Sequence, residues 1–571
     1  MFKHKASKAR EIRLFMKARG SALLVGLVGG FSFAEEAIPG IGAELPEPGV
    51  VESLPEVKPV GVGGDRRGQM LAENFSKVRI ESWEGAGDLE SVSPFLAVDR
   101  DLIVPAPEAL SRRLEDLVGG GLDEAALLEV VDLILVHYDR HGYPVVGVDA
   151  PQQDFADGVL TLYVEIGRIG RVGVTRPRYG RDELIRRGLF LRDGEILERS
   201  DLDRQLDWFG RTAFRRPRLF VTPGEAPATA DILIGLEESR PWRASLGYEN
   251  SGPDLAGRER LLVGFAGMTP GEHVVAWQTV LGLPVSSLHA HSVSWEIPLH
   301  QWRQTLQLDA AYAEIENRTP SALGILNNEG SSWSLSLTHR SILPRLGRWR
   351  QQLVSGVEVK GTDQFVLFGG GGFAPGEVRM VHGKVSYGLE RRWDDAGLAF
   401  GASLIGSPGG VIPGNDDADF RAYDPMAGSE YVIGRLNGQG WWSPGGDWRI
   451  GLRGSAQWAD SRLLPSEQFA AGGHRSVRGI GERAFIADGG WQASLELVSP
   501  EWSAGNWMRV RGIGFFDHAW LKNRGGPSSS VSGAGLGMRM RLTDYIDVRA
   551  DHGWWLDGRG SRTHFGVTMR Y

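Results

Sequence analysis

The sequence predicts a transmembrane antiparallel β-barrel that follows two small α/β domains. From residue 240 onward, apolar and polar residues alternate with a period of two in one segment after another. Such alternation is typical of strands that have one lipid-facing side and one wet side. Residues 75–239 instead combine helical and strand periodicity. Beyond the N-terminal region no apolar run reaches the roughly 20 residues of a membrane helix, so a membrane domain here must be a barrel.

Composition and motif content argue against catalysis and nucleic-acid binding. The 571-residue chain has a formal net charge of −8 and no block of like charge in its mature region, so no nucleic-acid partner is expected. It contains no cysteine, which excludes disulfides and thiol chemistry. The G-x-S-x-G, H-E-x-x-H and P-loop patterns are absent. His137 and His141 lack a third ligand nearby, so we expect no enzyme, no cofactor and no metal site.

Residues 1–34 are predicted to be a signal peptide. Basic residues up to Arg19 precede an apolar stretch, Ser21 to Ala34, that ends in small residues. A membrane anchor is the alternative, but this stretch is shorter than the roughly 20 residues that span a bilayer. Residues 35–74 are rich in proline and glycine, which is typical of a linker.

Residues 75–168 and 169–239 are each predicted to form an α/β domain. In the first domain the order is strand, helix, helix, strand, strand, and Asp123 is suited to cap the second helix. In the second domain, strands at both ends enclose two helices. The predicted strands lie at 78–83, 145–148, 160–164, 169–175 and 230–237, and the predicted helices at 107–118, 123–142, 182–188 and from 200 onward.

The barrel is predicted for residues 240–571. Val293 and Trp295 alternate with Ser292 and Ser294, and the last segment, 565–571, is apolar at every odd position. A soluble β-sandwich is the alternative, but it would bury arginines spaced two apart, whereas a water-filled lumen accommodates them. At roughly 10 residues per strand and turns of similar length, the span holds about 16 strands.

A segment dense in glycine and charge interrupts the alternation near residues 465–490 and is predicted to be a long loop between strands. Arg478 is its leading candidate residue, because a guanidinium offers fixed donors that suit a carboxylate. The alternative is an ordinary solvated loop arginine. Its glycines are expected to supply backbone freedom. The loop motif comprises Gly472, Gly473, Val477, Arg478, Gly479 and Ile480.

These features resemble the two-partner secretion outer-membrane transporters with POTRA domains, the ShlB/FhaC/HecB-like hemolysin secretion/activation family. The loop resembles the family's VRGY signature, with Ile480 in place of an aromatic residue. Residues 514–519 resemble its short strand motif around an aspartate, Asp517, with Ala519 in place of glycine. A third set of residues resembles the motif of the family's first POTRA domain: Tyr138, Gly142, Tyr143, Pro151, Gln153 and Asp154.

The resemblance implies a barrel of about 16 strands, a count that alternation alone does not fix. It implies POTRA domains at 75–168 and 169–239 in the periplasm, a barrel in the bacterial outer membrane, and a lumen loop around 465–490. It also implies that Arg478 and Asp517 form a clamp inside the lumen. The linker region is where the plug helix of this family would lie, but its prolines disfavour a long helix.

The strand pattern supports the inward direction of Asp517 independently. Arg509, Arg511 and Asp517 occupy odd positions of one predicted strand and therefore share one of its faces. If the arginines line a wet lumen, the aspartate points into the lumen as well.

The implied function is export of a large adhesin-like or hemolysin-like exoprotein, captured unfolded by the POTRA domains and moved through the barrel to the cell surface. Its partners would be that exoprotein and the lipid of the outer membrane. One alternative is a barrel-assembly insertase, which usually carries more POTRA domains. Another is a passive porin or receptor with a periplasmic extension, which should lack the Arg478 motif and Asp517. A surface hydrolase is disfavoured by the missing catalytic motifs.

Overall fold

The structure of the chain is a computed structural model. It describes residues 51–52, 70–83, 87–226, 228–254, 257–321, 324–368, 371–373 and 376–571. The chain forms two compact units, whose described residues run from 51 to 239 and from 240 to 571. The predicted signal peptide, and the predicted linker apart from residues 51–52 and 70–74, lie outside the described residues.

The first unit contains two sheets that are covered by helices. The strands are β1 (Val51–Glu52), β2 (Met70–Ala72), β3 (Lys77–Ser82), β4 (Leu89–Ser93), β5 (Leu96–Asp99), β6 (Leu122–Asp123), β7 (Val146–Asp149), β8 (Val159–Ile166), β9 (Arg168–Val174), β10 (Arg215–Pro223) and β11 (Thr229–Glu238). One sheet has the strand order β4-β5-β3-β8-β7, and the other has the order β1-β10-β11-β9. The helices are α1 (Pro107–Leu114), α2 (Glu124–Arg140), α3 (Asp182–Gly188) and α4 (Arg199–Phe209).

Helix α2 begins where the sequence predicts. Asp123 has extended backbone angles, and its carboxylate accepts a hydrogen bond from Ala126 N at 2.8 Å, which satisfies one free donor of the first turn. Val130, Ile134 and Tyr138 recur along one face of the helix and are fully buried against the five-stranded sheet. None of the helices in the described part of the chain is long and apolar enough to cross a membrane.

Six strands of this unit, β1, β2, β4, β5, β6 and β10, were not predicted from the sequence. Strands β4 and β5 form a hairpin beside β3, and β10 pairs with β11 along its whole length. The short strand β1 pairs with β10, and β2 pairs with β6, so residues of the predicted linker contribute two strands. Helix α1 ends at Leu114, earlier than predicted.

The second unit is a closed antiparallel barrel of 16 spanning strands, which confirms the predicted fold class. The first strand pairs with the last, so the sheet has no free edge. The spanning strands are β12 (Trp242–Glu249), β13 (Arg260–Met268), β14 (Val274–Gly282), β15 (Leu288–Leu299), β16 (Gln304–Ser321), β17 (Gly324–Leu346), β18 (Trp349–Phe368), β20 (Val378–Arg392), β21 (Ala396–Pro408), β22 (Glu430–Gly445), β23 (Trp448–Ala459), β26 (Gly489–Val498), β28 (Met508–Lys522), β29 (Ser528–Leu542), β30 (Ile546–Trp555) and β31 (Ser561–Arg570).

Shorter elements join the spanning strands. These are β19 (Gly371–Phe373), the helix α5 (Asp417–Tyr423), β24 (Phe469–Ala471), β25 (Phe485–Ala487) and β27 (Trp502–Ala504). Strands β24 and β25 pair with each other and lie within the long loop between β23 and β26.

The two faces of the barrel wall differ as the alternation predicts. Val293 and Trp295 are 44% and 41% exposed and point outward, whereas Ser292 and Ser294 are 5% and 7% exposed and point inward. The outward face is therefore apolar, and the inward face carries serine, threonine, histidine and charged residues.

Because the strand number is even, both ends of the barrel sequence lie at the same rim, which we call the terminal rim. Its hairpins carry aromatic residues whose side chains are mostly exposed. They are Trp242, Trp302, Trp349, Trp393, Trp442, Trp448, Trp502, Trp507, Tyr545 and Tyr571. Aromatic belts of this kind mark the level of the membrane–water interface.

Candidate functional site

The lumen loop, residues 465–490, folds back inside the barrel and places its tip against the inner face of β28, β29 and β30. Val477, Arg478 and Ile480 at this tip are all buried. Ser476 Oγ accepts a hydrogen bond from Gly472 N at 3.1 Å and tightens the turn. The loop is thus packed into the lumen and is not a surface excursion.

Gly479 allows the tip to sit directly on the wall backbone. Its φ is +96°, which disfavours any residue with a Cβ, and an added Cβ would lie 2.9 Å from the carbonyl carbon and oxygen of Gly553 on β30. Gly533 on β29 faces the same tip, where an added Cβ would collide with the carbonyl oxygen of Arg478. The backbone of the loop therefore contacts the backbone of the barrel wall at Gly479, Gly533 and Gly553, at distances that a side chain at any of these positions would prevent.

Arg478 and Asp517 form a bidentate ion pair inside the barrel. Arg478 Nε lies 2.7 Å from Asp517 Oδ2, and Nη2 lies 2.7 Å from Oδ1. The backbone N–H of Arg478 also donates to Oδ2 at 3.0 Å. The two side chains are 1% and 0% exposed, so the pair is almost fully desolvated. We call this pair the lumen clamp.

Three further side chains, which the sequence analysis missed, complete the surroundings of Arg478. Nη1 donates to Glu496 Oε1 at 2.7 Å, and Nη2 donates to Ser494 Oγ at 3.0 Å. The guanidinium carbon lies 3.5 Å from the ring centroid of Phe515, a cation–π arrangement. These three side chains come from the inward face of β26 or β28, and Ser494 stands opposite Asp517 in the strand register. Asp551 on β30 lies further away, with its Oδ1 3.9 Å from Arg478 Nη1.

Ile480 and Ala519, the two positions that depart from the family pattern, lie in one buried apolar cluster. Ile480 is 6% exposed and Ala519 is fully buried. The cluster also contains Phe469, Ala471, Val477, Ala487, Leu521 and Val531. Isoleucine therefore serves as a packing residue at the position where the family carries an aromatic ring.

Asp488 fixes the second root of the lumen loop. It accepts hydrogen bonds from Leu463 N at 3.0 Å, Gln468 Nε2 at 2.9 Å and Arg524 N at 2.8 Å. Arg462 bridges it to another loop, because its Nη1 lies 3.3 Å from Asp488 Oδ2 and its Nε lies 3.0 Å from Asp424 Oδ2. Asp488 belongs to the Asp-Gly-Gly run that follows the loop motif in the sequence.

The predicted POTRA motif residues have structural contacts. Tyr138 is buried and its hydroxyl donates to Ile103 O at 3.1 Å, while its ring packs edge-on against Tyr143. Gly142, with φ +97°, follows the end of α2. Gln153 Nε2 donates to Pro151 O at 3.2 Å, and Gln153 Oε1 accepts from Thr161 N at 2.7 Å.

Asp154 completes that loop, since it accepts a hydrogen bond from Ala156 N at 3.0 Å. His137 is buried with Nε2 at 2.6 Å from Pro105 O, so this nitrogen is occupied by a backbone contact. Within the described ranges, no three histidine, aspartate or glutamate side chains are grouped so that they could hold a metal ion.

Comparison with known proteins gives two family matches. Residues 103–167 match the POTRA domain, ShlB-type, and residues 430–540 match the haemolysin secretion/activation protein family ShlB/FhaC/HecB. The second match contains the whole lumen loop and both members of the lumen clamp.

Curated relatives are outer-membrane transporters. CdiB-2 of Burkholderia pseudomallei (strain 1026b) is 23% identical over 38% of this chain and 35% of its own length. CdiB of Escherichia coli O6:K15:H31 (strain 536 / UPEC) is 23% identical over 78% of this chain and 76% of its own length. The chain thus aligns with about a third of the first relative and about three quarters of the second.

Two solved structures share the fold. CdiB from Escherichia coli is 16% identical, with a TM-score of 0.72 over 90% of this chain and 94% of that one. CdiB from Acinetobacter baumannii is 15% identical, with a TM-score of 0.64 over 91% and 93% of the two chains.

Barrel, lumen loop and α/β unit together define an outer-membrane transporter with POTRA domains in the periplasm. More specifically, two stretches of the chain match the ShlB-type POTRA domain and the ShlB/FhaC/HecB secretion family, and these matches support a two-partner secretion transporter.

Proposed function

We propose that this protein captures an unfolded exoprotein in the periplasm and exports it through the barrel to the cell surface. The lumen clamp carries this proposal. It holds a loop inside the closed barrel through non-covalent side-chain contacts only, so the loop can stay in place or move away without any covalent bond being made or broken. A passive porin is expected to lack the Arg478 motif and its partner Asp517. The sequence has no nucleotide-binding pattern, so folding of the exported chain outside the cell is the proposed driving force.

The clamp is proposed to hold the barrel in its working conformation. Arg478 reaches Asp517 on β28 and both Ser494 and Glu496 on β26, so a single side chain ties the loop tip to two wall strands. Breaking it would leave a buried charge unpaired, which typically costs about 3–5 kcal/mol. The loop therefore stays seated unless the exported chain provides compensating contacts.

Capture is proposed to occur in the two POTRA domains, which we place at residues 75–168 and 169–239. An extended peptide can add a strand to a sheet edge and be recognised by its backbone, which suits an unfolded client of large size. Among the described strands, β4 and β7 lie at the edges of the five-stranded sheet. The proposed client is an adhesin-like or hemolysin-like exoprotein, and the protein is proposed to have no catalytic activity.

Export by clamp variants tests the role of the lumen clamp. Arg478→Ala should reduce secretion of the exported partner protein at least tenfold, while the barrel still assembles. Arg509→Ala is the matched control, since Arg509 lies on β28 and pairs with the exposed Asp544 at 2.8 Å. Unchanged secretion by Arg478→Ala, with normal heat-modifiable migration of the barrel, would show the clamp to be incidental.

A deletion tests the capture step. Removal of residues 75–168 should abolish secretion and leave insertion of the barrel into the outer membrane intact. Secretion that survives the deletion would rule out capture by this domain. Loss of many unrelated outer-membrane barrels, in place of one exoprotein, would favour the barrel-assembly alternative.

A further inference from the structure

An outward-facing arginine, Arg391, stands at the end of β20 on the terminal rim. Outward positions of this strand alternate with inward ones, and Val385 and Tyr387 on the same face are 51% and 37% exposed. Arg391 lies on the same face, three alternate positions beyond Val385 and two beyond Tyr387, at the level of the aromatic belt. Because β12 follows the POTRA unit directly, this rim faces the periplasm, and the adjoining leaflet is the inner leaflet of the outer membrane.

Two tryptophans from neighbouring positions enclose the Arg391 guanidinium. Its central carbon lies 4.6 Å from the Trp393 ring centroid and 5.8 Å from the Trp349 ring centroid. The two indoles pack edge to face at 5.9 Å. Trp349 begins β18, next to the register pair Arg350 and Glu390, so it stands beside Arg391 on the same outer face.

Other arginines at this rim have a different setting. Arg350 and Arg392 point inward and lie 3.9 Å and 3.5 Å from carboxylate oxygens of Glu390. Arg449 also points inward, with its guanidinium 4.9 Å from the Trp441 ring. Arg391 makes no ion pair with any described residue, and its Nε is buried without a hydrogen-bond acceptor. The Arg391 guanidinium therefore contacts two indole rings, and no carboxylate of the described residues neutralises its charge.

The charges around this place are mixed. Arg348 is exposed in the turn before Trp349, and Asp394 and Asp395 are exposed in the turn after Trp393. The rim is thus not a broad positive patch that would attract any polyanion. A partner is selected by the geometry at Arg391 itself.

We propose that Arg391, Trp349 and Trp393 bind the phosphate group of a glycerophospholipid in the inner leaflet. The indoles sit where lipid headgroups begin, and the free donors of the guanidinium match two non-ester phosphate oxygens. Since the surrounding charge is mixed, recognition depends on the phosphate and not on net lipid charge. Zwitterionic and anionic phospholipids should therefore both bind.

Native mass spectrometry of the full-length protein in a phosphate-free detergent tests this site. Phosphatidylethanolamine and phosphatidylglycerol should each bind the wild-type protein about tenfold more tightly than Arg391→Gln, since a charge-assisted bidentate contact is lost. Arg449→Gln, which removes the inward cation–π arginine, should bind like the wild type. Diacylglycerol with the same acyl chains should not distinguish the wild type from Arg391→Gln.

Specific results would overturn the proposal. Equal binding by Arg391→Gln and wild type, or equal loss in Arg449→Gln, would place the lipid elsewhere. Diacylglycerol bound as tightly as phospholipid would show that the belt recognises only acyl chains. Inorganic phosphate bound as tightly as phospholipid would indicate a general anion site, and binding of phosphatidylglycerol alone would indicate a diffuse charge effect.

A second variant keeps the test decisive if Arg391→Gln fails to assemble. Arg391→Lys retains the charge but lacks the planar fork, so phospholipid binding should weaken about threefold while the barrel keeps its heat-modifiable migration. Binding by Arg391→Lys at the wild-type level would contradict recognition through the fork. This site concerns the barrel wall, so its outcome is independent of the export assays.

Discussion

At the scale of single residues, Arg478 shows how a buried cation can be tolerated inside a barrel. Removing a guanidinium from water is costly unless its donors find acceptors. Here Asp517 takes two donors, Glu496 and Ser494 take others, and Phe515 covers one face of the group. A lysine at this position would keep the charge but could not reproduce the fork.

The approach of loop to wall yields a prediction at Gly479. Gly479→Ala should loosen the lumen loop, because φ is +96° and the new Cβ would meet the Gly553 backbone at 2.9 Å. Gly525→Ala is the matched control, with φ +69° and open space around its Cβ. We expect a loss of about 1 kcal/mol in the control and at least twice that in Gly479→Ala.

The measurement for Gly479 is local opening of the lumen loop, followed by hydrogen exchange of residues 472–480 in the detergent-solubilised protein. Protection should fall much further in Gly479→Ala than in Gly525→Ala. Equal protection in the two variants would mean that the loop can shift away from β30 without loss.

How much of the clamp could be predicted differs from residue to residue. The inward direction of Asp517 follows from parity along a single strand, which needs no knowledge of neighbouring strands. Ser494 and Glu496 could not be found in this way, because they lie on β26 and reach Arg478 only through the register of β26 on β28. Register between strands is a tertiary property that local alternation does not encode.

At the scale of elements, helix α2 carries a buried histidine whose protonation should weaken its packing. Burial lowers the pKa of His137, and nearby His141 and Arg113 lower it further, against the raising effect of the Pro105 carbonyl contact. The folded state therefore prefers neutral imidazole. The contribution of neutral His137 to the stability of the folded state is complete above the ordinary histidine pKa of 6.5 and is lost as the pH falls below that value.

We predict that protection of α2 against hydrogen exchange, corrected for the intrinsic rate, is lower at pH 5.5 than at pH 7.5. The variant His137→Gln keeps a donor for Pro105 and should remove most of this pH dependence. An unchanged pH dependence in His137→Gln would assign it to another group.

The loop that carries α5 is a second inward-folded element of the barrel. Phe420 on α5 is fully buried with Val378, Met380 and Ile433 of the wall. A capping box at Asp416 and Asp419 fixes the start of the helix. The loop is also tied to the lumen loop, because Arg462 contacts both Asp424 and Asp488.

Phe420→Ala should release this loop, since truncating a buried phenylalanine costs about 3–5 kcal/mol. Met426→Ala in the same loop is the control, because Met426 is 70% exposed and should change stability by less than about 0.5 kcal/mol. Limited proteolysis between residues 409 and 429 would report the release. Equal cleavage rates in both variants would show that Phe420 does not hold the loop.

The elements that sequence analysis found and missed also differ for physical reasons. Helix α2 has a cap and a long apolar stripe, so its start could be predicted from local chemistry. Strand β4 is mostly exposed and shows no alternation, and β10 contains two prolines, which argue against a strand. Both strands form because neighbouring strands supply the hydrogen bonds, which is tertiary context.

At the scale of the whole molecule, the barrel sorts its residues between two solvents. Leu404 is 58% exposed on the outer face, whereas Ser403 on the same strand is hydrogen-bonded to Ser386 at 2.8 Å on the inner face. Alternation in the sequence predicted this division, and it predicted the barrel class with it. The strand count needed both chain length and family resemblance, because each strand alternates alike whatever the number around it.

Neighbouring positions of β20 test this division of faces with one substitution. Val385 is 51% exposed on the lipid face, so Val385→Arg should destabilise the membrane-inserted barrel by about 2–4 kcal/mol near the bilayer midplane. Ser386→Arg, one residue along the strand, places the same charge in the wet lumen and should cost less than about 1 kcal/mol. Urea titration of folding into lipid vesicles, read by heat-modifiable migration, measures both values. If Ser386→Arg lowered the free energy of unfolding as much as Val385→Arg, the inner face would be no more hydrated than the outer one. That result would contradict the water-filled lumen that the proposed export requires.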